Sequence, residues 1–132
     1  MTITAALIWF ALITLIIAAT EIMYTYATQG IRYGFSANRP APTLTDFGAR
    51  LKRTYQNQVE SAAYIVPALI GASIAGVSGS DVQMAALLIV IGRAAFAVLY
   101  LTGITFVRVP AFVLGTGSTA YLIYVALTAG VL

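Results

Sequence analysis

From Ile3 to Ala19 the chain carries no charge. The same holds from Ser61 to Ser80 and from Val109 to Leu132, and Arg93 alone interrupts Val82 to Val107. Runs this long and continuous lack the short alternating segments of a membrane β-barrel and point to helices in a bilayer. Composition agrees. Of 132 residues, 61% are apolar and 8% charged, against about 25% charged in a typical soluble domain. A soluble globular domain, a disordered chain and a collagen-like fibre are excluded. About 80 apolar residues, at roughly 20 per span, suffice for about four spans. The expected fold class is an all-α integral membrane protein, a single domain over 1–132. Its four transmembrane helices are expected at about 3–26, 45–77, 82–107 and 109–131.

No Lys or Arg precedes the first run, so it reads as a retained helix rather than a signal peptide. Val77-Ser78-Gly79-Ser80-Asp81 reads as a tight turn, making the second and third helices an antiparallel hairpin. The break at Arg108-Val109-Pro110 is equally short. The segment 27–59 is different: it holds Arg32, Arg39, Arg50, Lys52 and Arg53, five of the seven basic residues. The positive-inside rule places this loop in the cytoplasm, Arg108 on the same side and both termini on the other. Within it, Thr43-Leu44-Thr45-Asp46 carries the hydroxyls and acid of a helix start. A helix from there to Val77 is about 50 Å long, against a hydrocarbon core of about 30 Å. Its first turns therefore project from the membrane.

On those turns Arg50, Arg53, Asn57 and Glu60 fall within an arc of about 80°. Counting from the turn at Val77, Glu60 and Tyr100 both lie about 26 Å away, with Arg53 and Arg108 both at about 36–39 Å. The two polar faces are expected to meet at the cytoplasmic edge in a pocket of Arg53, Asn57, Glu60, Tyr100 and Arg108. Such a pocket suits a small anionic, peptide-like ligand. Guanidinium groups take carboxylates, Glu60 an ammonium, Asn57 an amide. A polar network that merely pins helix packing is the structural alternative. Arg93, near midplane, needs a partner, for which Glu60 and Glu21 are the candidates; its expected role is structural. Cys and His are absent. That removes the cysteine nucleophile, thiolate metal sites and the commonest general base, and no metal is expected.

Arg50-x-x-Arg53-x-x-x-Asn57-x-x-Glu60, then Arg93-x6-Tyr100-Leu101-Thr102-Gly103 and Arg108, resembles the MAPEG proteins, membrane-associated proteins in eicosanoid and glutathione metabolism. The resemblance covers nearly the whole chain and is nearest to small bacterial members, which implies a bacterial inner membrane. It implies a homotrimer that binds glutathione between subunits and meets a lipophilic electrophile from the bilayer. Membrane lipids and that small molecule are then the partners besides the chain itself; no nucleic acid is expected. Carried over by residue, Arg53, Asn57 and Glu60 would hold glutathione, with support from Tyr100 and Arg32. Arg108 would be the catalytic residue, stabilising the thiolate. Arg50 and Arg93 are left as structural polar residues.

Four positions depart from some members: Phe96 for a His, Gln56 for a basic residue, Val109 for a Ser and Phe112 for a Tyr. The binding stripe is intact, while the thiol-activating end is thinner. The leading expectation is a glutathione- or other thiol-dependent membrane transferase or peroxidase. A non-catalytic scaffold binding lipid or protein is the first alternative. A small multidrug transporter is the second, suggested by Glu21 but opposed by the long basic loop.

Overall fold

The computed structural model describes residues 1–131, and among these all regular structure is helical. Helix α1 spans Ile3–Gln29, α2 Ile31–Phe35, α3 Asp46–Ile74, α4 Ser80–Thr102 and α5 Arg108–Ala126, followed by a π-helical turn over Leu127–Val131. Leu132, where the last uncharged run ends, lies outside the described residues.

Local chemistry sets the boundaries. Thr2 caps α1 by accepting a hydrogen bond from the Ala5 amide at 3.2 Å, and Thr45 caps α3 by accepting from Gly48 at 3.1 Å. The first helix continues past the expected residue 26 to Gln29 and stops at Gly30, whose φ of 86° a side-chain-bearing residue rarely adopts. The third long helix ends at Thr102, not at 107. Gly103 takes the left-handed conformation, and the Ile104 amide closes back on the Leu99 carbonyl at 3.0 Å. The run Ile104-Thr105-Phe106-Val107 that follows lies outside any helix, and Phe106 is 91% exposed. Helix α2, inside the basic segment, was not expected.

Among the described residues three helices are long and apolar enough to cross a membrane: α1, α4 and α5 extended to Ala129. The fourth expected span, on α3, does not meet that measure. Helix α3 falls short because its first half carries Asp46, Arg50, Lys52, Arg53 and Glu60. It nevertheless packs along the other three, and Ala6, Phe10, Ile65, Leu69, Ala72, Ala86, Ile89 and Leu122 share one core drawn from all four long helices. Around that core Ile8, Leu15, Ile16 and Met23 of α1, Ile91 and Val98 of α4, and Val109 and Val113 of α5 face outward. So much exposed apolar surface suits lipid, not water.

Consecutive long helices run antiparallel. The Met1 ammonium donates to the Gln83 carbonyl at 3.1 Å and Tyr121 to Asp81 at 2.5 Å, so the start of α1, the α3–α4 turn and the later part of α5 share one end. At the other end Tyr24 bonds to Thr45, and Arg50 Nε donates to the Leu101 carbonyl at 3.1 Å. The basic segment lies at this second end. The closest approach of helices is between α4 and α5: a Cβ on Gly92 would sit 2.6 Å from the Gly115 nitrogen and 2.9 Å from the Ala111 carbonyl oxygen. At Gly71 and Gly76, by contrast, a Cβ would meet nothing within 4 Å inside the chain.

Candidate functional site

Helix α3 carries most of the expected site, and its polar stripe divides. Arg50 and Asn57, about two turns apart, turn toward α4. Arg53 and Glu60, offset from them and equally spaced, are exposed. Arg50 is committed to the carbonyl end of α4 through Leu101. Glu60 accepts from Gln56 Nε2 at 2.9 Å one turn back.

Arg93 does not pair with Glu60 or Glu21. Its Nη2 donates to Asn57 Oδ1 at 2.8 Å and to Gln58 Oε1 at 3.1 Å, and its Nε reaches the same Gln58 oxygen at 3.3 Å. The expectation looked for a charge, but amide oxygens lie directly across from it. Arg93 and Gln58 are each 1% exposed. Gln58 in turn donates to Thr14 Oγ1 at 2.9 Å, and Thr14 to the Phe10 carbonyl at 2.8 Å. The guanidinium also lies 5.0 Å from the Phe96 ring centroid and 6.0 Å from that of Phe112. Cation–π attraction of this kind partly replaces lost hydration.

Arg108 and Tyr100 do come together, the guanidinium lying 4.7 Å from the ring centroid. Phe96 packs on Tyr100 at 5.5 Å and on Phe112 at 5.7 Å. An aromatic layer thus separates a buried arginine, Arg93, from one at the membrane edge, Arg108. Phe96 and Phe112 serve here as apolar members of that layer.

Two cavities lie on the α1–α3 side. One of about 310 Å³ is lined by Glu21, Lys52, Tyr55, Gln56, Val59 and Glu60. The other, about 410 Å³, lies among the end of α1, α2 and the start of α3, with Tyr24, Tyr26, Tyr33 and Arg39 in its wall. Of the expected site residues only Glu60 lines either. Arg32 sits exposed on α2 and lines neither cavity. The five-residue pocket is therefore not closed within one chain: α3 offers Arg53 and Glu60 outward, and Tyr100 with Arg108 forms a separate group.

Sequence reasoning missed Gln58 and Thr14. The signal was present: Thr54, Gln58 and Ser61 follow helical spacing on a face distinct from the stripe, and all three are 1% exposed.

The family model for the MAPEG family matches residues 2–128. The chain belongs to the MAPEG family. Neither a curated protein nor a solved structure matched it. MAPEG members include glutathione-dependent transferases and related enzymes. A MAPEG chain with three helices long and apolar enough to cross a membrane is a membrane protein. Membership in the MAPEG family, rather than the place of Glu21 on α1, is what counts against the transporter alternative.

Proposed function

We propose that this MAPEG protein uses glutathione, or another small thiol, to attack lipophilic electrophiles. The single observation that carries the reading is the state of the α3 outer face. Opposite charges Arg53 and Glu60 stand exposed there, with Asn57 between them in sequence and Arg108 held by Tyr100 on the neighbouring helix. In this reading α3 also lies in the bilayer, and three copies of the chain pack so that one subunit's polar face is closed by the next. The site faces the cytoplasm, both termini lie outside, and the membrane is a bacterial inner membrane. Arg53 takes a carboxylate of the thiol peptide, Glu60 its ammonium and Asn57 its backbone. Arg32 closes over the ligand from the loop.

Arg108 favours the thiolate by placing a positive charge beside sulfur, which lowers a thiol pKa. The thiol proton leaves to solvent. Sulfur then bonds to the electrophilic carbon as the bond to the leaving group breaks, and that group takes the electron pair. With a hydroperoxide, sulfur instead takes the terminal oxygen and an alcohol leaves; a second thiol then forms the disulfide and releases water. Neither route needs a protein nucleophile.

One observation favours the non-catalytic scaffold: the ring packed on the inner side of Tyr100 is Phe96, itself backed by Phe112, so that side offers no polar group to the ligand. The deciding experiment is binding of a panel of small thiols to the detergent-solubilised protein, with thiolate absorbance followed against pH. Binding with a depressed thiol pKa is expected. Binding without it sinks the enzymatic reading and leaves the scaffold.

A further inference from the structure

We propose that Arg93 is a positioning residue that fixes the Asn57 amide with oxygen inward and nitrogen outward, so that the site offers a hydrogen-bond donor to an acceptor oxygen of the thiol ligand. This rests on the reading of Asn57 as a ligand group given above.

The orientation follows from donor and acceptor chemistry. A guanidinium donates and never accepts. Arg93 Nη2 lies 2.8 Å from the Asn57 side chain, so the Asn57 atom facing it is the oxygen. The same logic runs backward through the core. Gln58 faces Arg93 with its oxygen, at 3.1 and 3.3 Å, so its nitrogen points to Thr14 Oγ1, 2.9 Å away. Thr14 accepts that bond and gives its own proton to the Phe10 carbonyl. From the backbone of α1 to the side chain of Asn57, each link dictates the sense of the next. Flipping Asn57 would set its amide protons against a buried guanidinium, trading a charge-assisted bond for facing donors.

The outward nitrogen is available. Asn57 Nδ2 makes no hydrogen bond within the described residues, and it is not among the buried polar atoms that lack a partner. It is therefore an accessible donor, flanked in sequence by Arg53 and Glu60. Among the described residues Arg93 pairs with no carboxylate, so its charge stands behind the amide and polarises the N–H outward. The ligand class this selects is a thiol peptide that presents a carbonyl or carboxylate oxygen, not an N–H, at the point between its carboxylate and its ammonium.

The test uses full-length protein in detergent, with S-hexylglutathione as probe. Asn57→Asp keeps the shape and pairs with Arg93 but has no outward donor. It is expected to match or exceed wild-type thermal stability while losing about tenfold or more in affinity. Arg93→Lys remains a donor only and should keep affinity within about threefold, whereas Arg93→Met, which frees the amide to turn, should lose about tenfold. Orientation is read without ligand as well. The chain has two asparagines, Asn38 and Asn57, so selective ¹⁵N-asparagine labelling gives two side-chain NH₂ pairs. The Asn57 pair should be broadened by a water-soluble paramagnetic agent in wild type. An NH₂ pair protected from that agent, or an Asn57→Asp protein that binds like wild type, overturns the proposal alone. A wild type that binds no thiol ligand overturns the reading of the site and this proposal with it.

Discussion

The two faces of α3 differ in how completely their polar groups are matched. On the inner face Thr54, Gln58 and Ser61 are buried, and each is bonded: Thr54 to the Arg50 carbonyl at 2.9 Å, Ser61 to the Asn57 carbonyl at 2.6 Å, Gln58 to Thr14 and Arg93. On the outer face Lys52, Arg53, Gln56 and Glu60 are exposed, and below them Ile70 and Ile74 are 44% and 81% exposed. One helix thus carries a finished surface and an unfinished one. The finished surface is the apparatus of folding. The unfinished one has the composition of an interface with something else, polar at one end and apolar along the rest.

Substitutions of neighbouring residues on opposite faces can break this contrast. The largest effect is expected from Gln58→Leu, which strips two Arg93 donors of their acceptor inside the core; leaving a buried charged donor unmatched typically costs on the order of 3 kcal/mol. Gln56→Leu removes only the exposed bond to Glu60 and should cost under about 1 kcal/mol. Equal losses in denaturation experiments would mean that the inner network is not special.

The next pair is Leu69→Ala against Ile70→Ala. Leu69 is 0% exposed and should cost about 2–5 kcal/mol on truncation. Ile70 should cost less in a dilute, dissociated protein but comparably in an assembled one, if copies of the chain cover the outer face. Mass measurement of the detergent-stripped complex beside each melting curve separates the cases, and a trimer is expected.

The smallest effect on the fold belongs to Arg108→Ala, which removes a cation from the Tyr100 ring, a contact of about 0.5–1 kcal/mol at an exposed site. Its consequence should be chemical: the pKa of bound thiol rises by about 1–3 units with affinity less affected. An unchanged thiol pKa removes Arg108 from the catalytic role.

Much of this was legible in the chain. Uncharged runs mark α1, α4 and α5, and Thr45 with Asp46 marks the start of α3. What escaped did so for definite reasons. Gly103 ends α4 by its left-handed backbone, but four residues of hydrophobic or β-branched character follow it and imitate continuing helix. Arg93 announced that it needed a partner, but an expectation built on charge looked to Glu60 and Glu21, whereas neutral amides on the facing turn supply the oxygens. The stripe from Arg50 to Glu60 was visible as an arc, but an arc of about 80° spans the boundary between a buried and an open surface. Side-chain direction decides which residue falls on which side, and spacing does not contain it.

The contact of Gly92 with Gly115 bears on how this chain can change over time. A single added methyl at position 92 meets main chain rather than a side chain that can move aside. No compensating substitution at a neighbouring side chain relieves it; only a shift of a whole helix does. Position 92 is therefore expected to accept no side chain, whereas a Cβ at Gly115 would meet Arg93 Cδ at 3.4 Å, an ordinary contact, and is expected to be tolerated. The outer face of α3 carries no such main-chain contact, so substitutions there act on the proposed ligand site or on assembly rather than on helix packing.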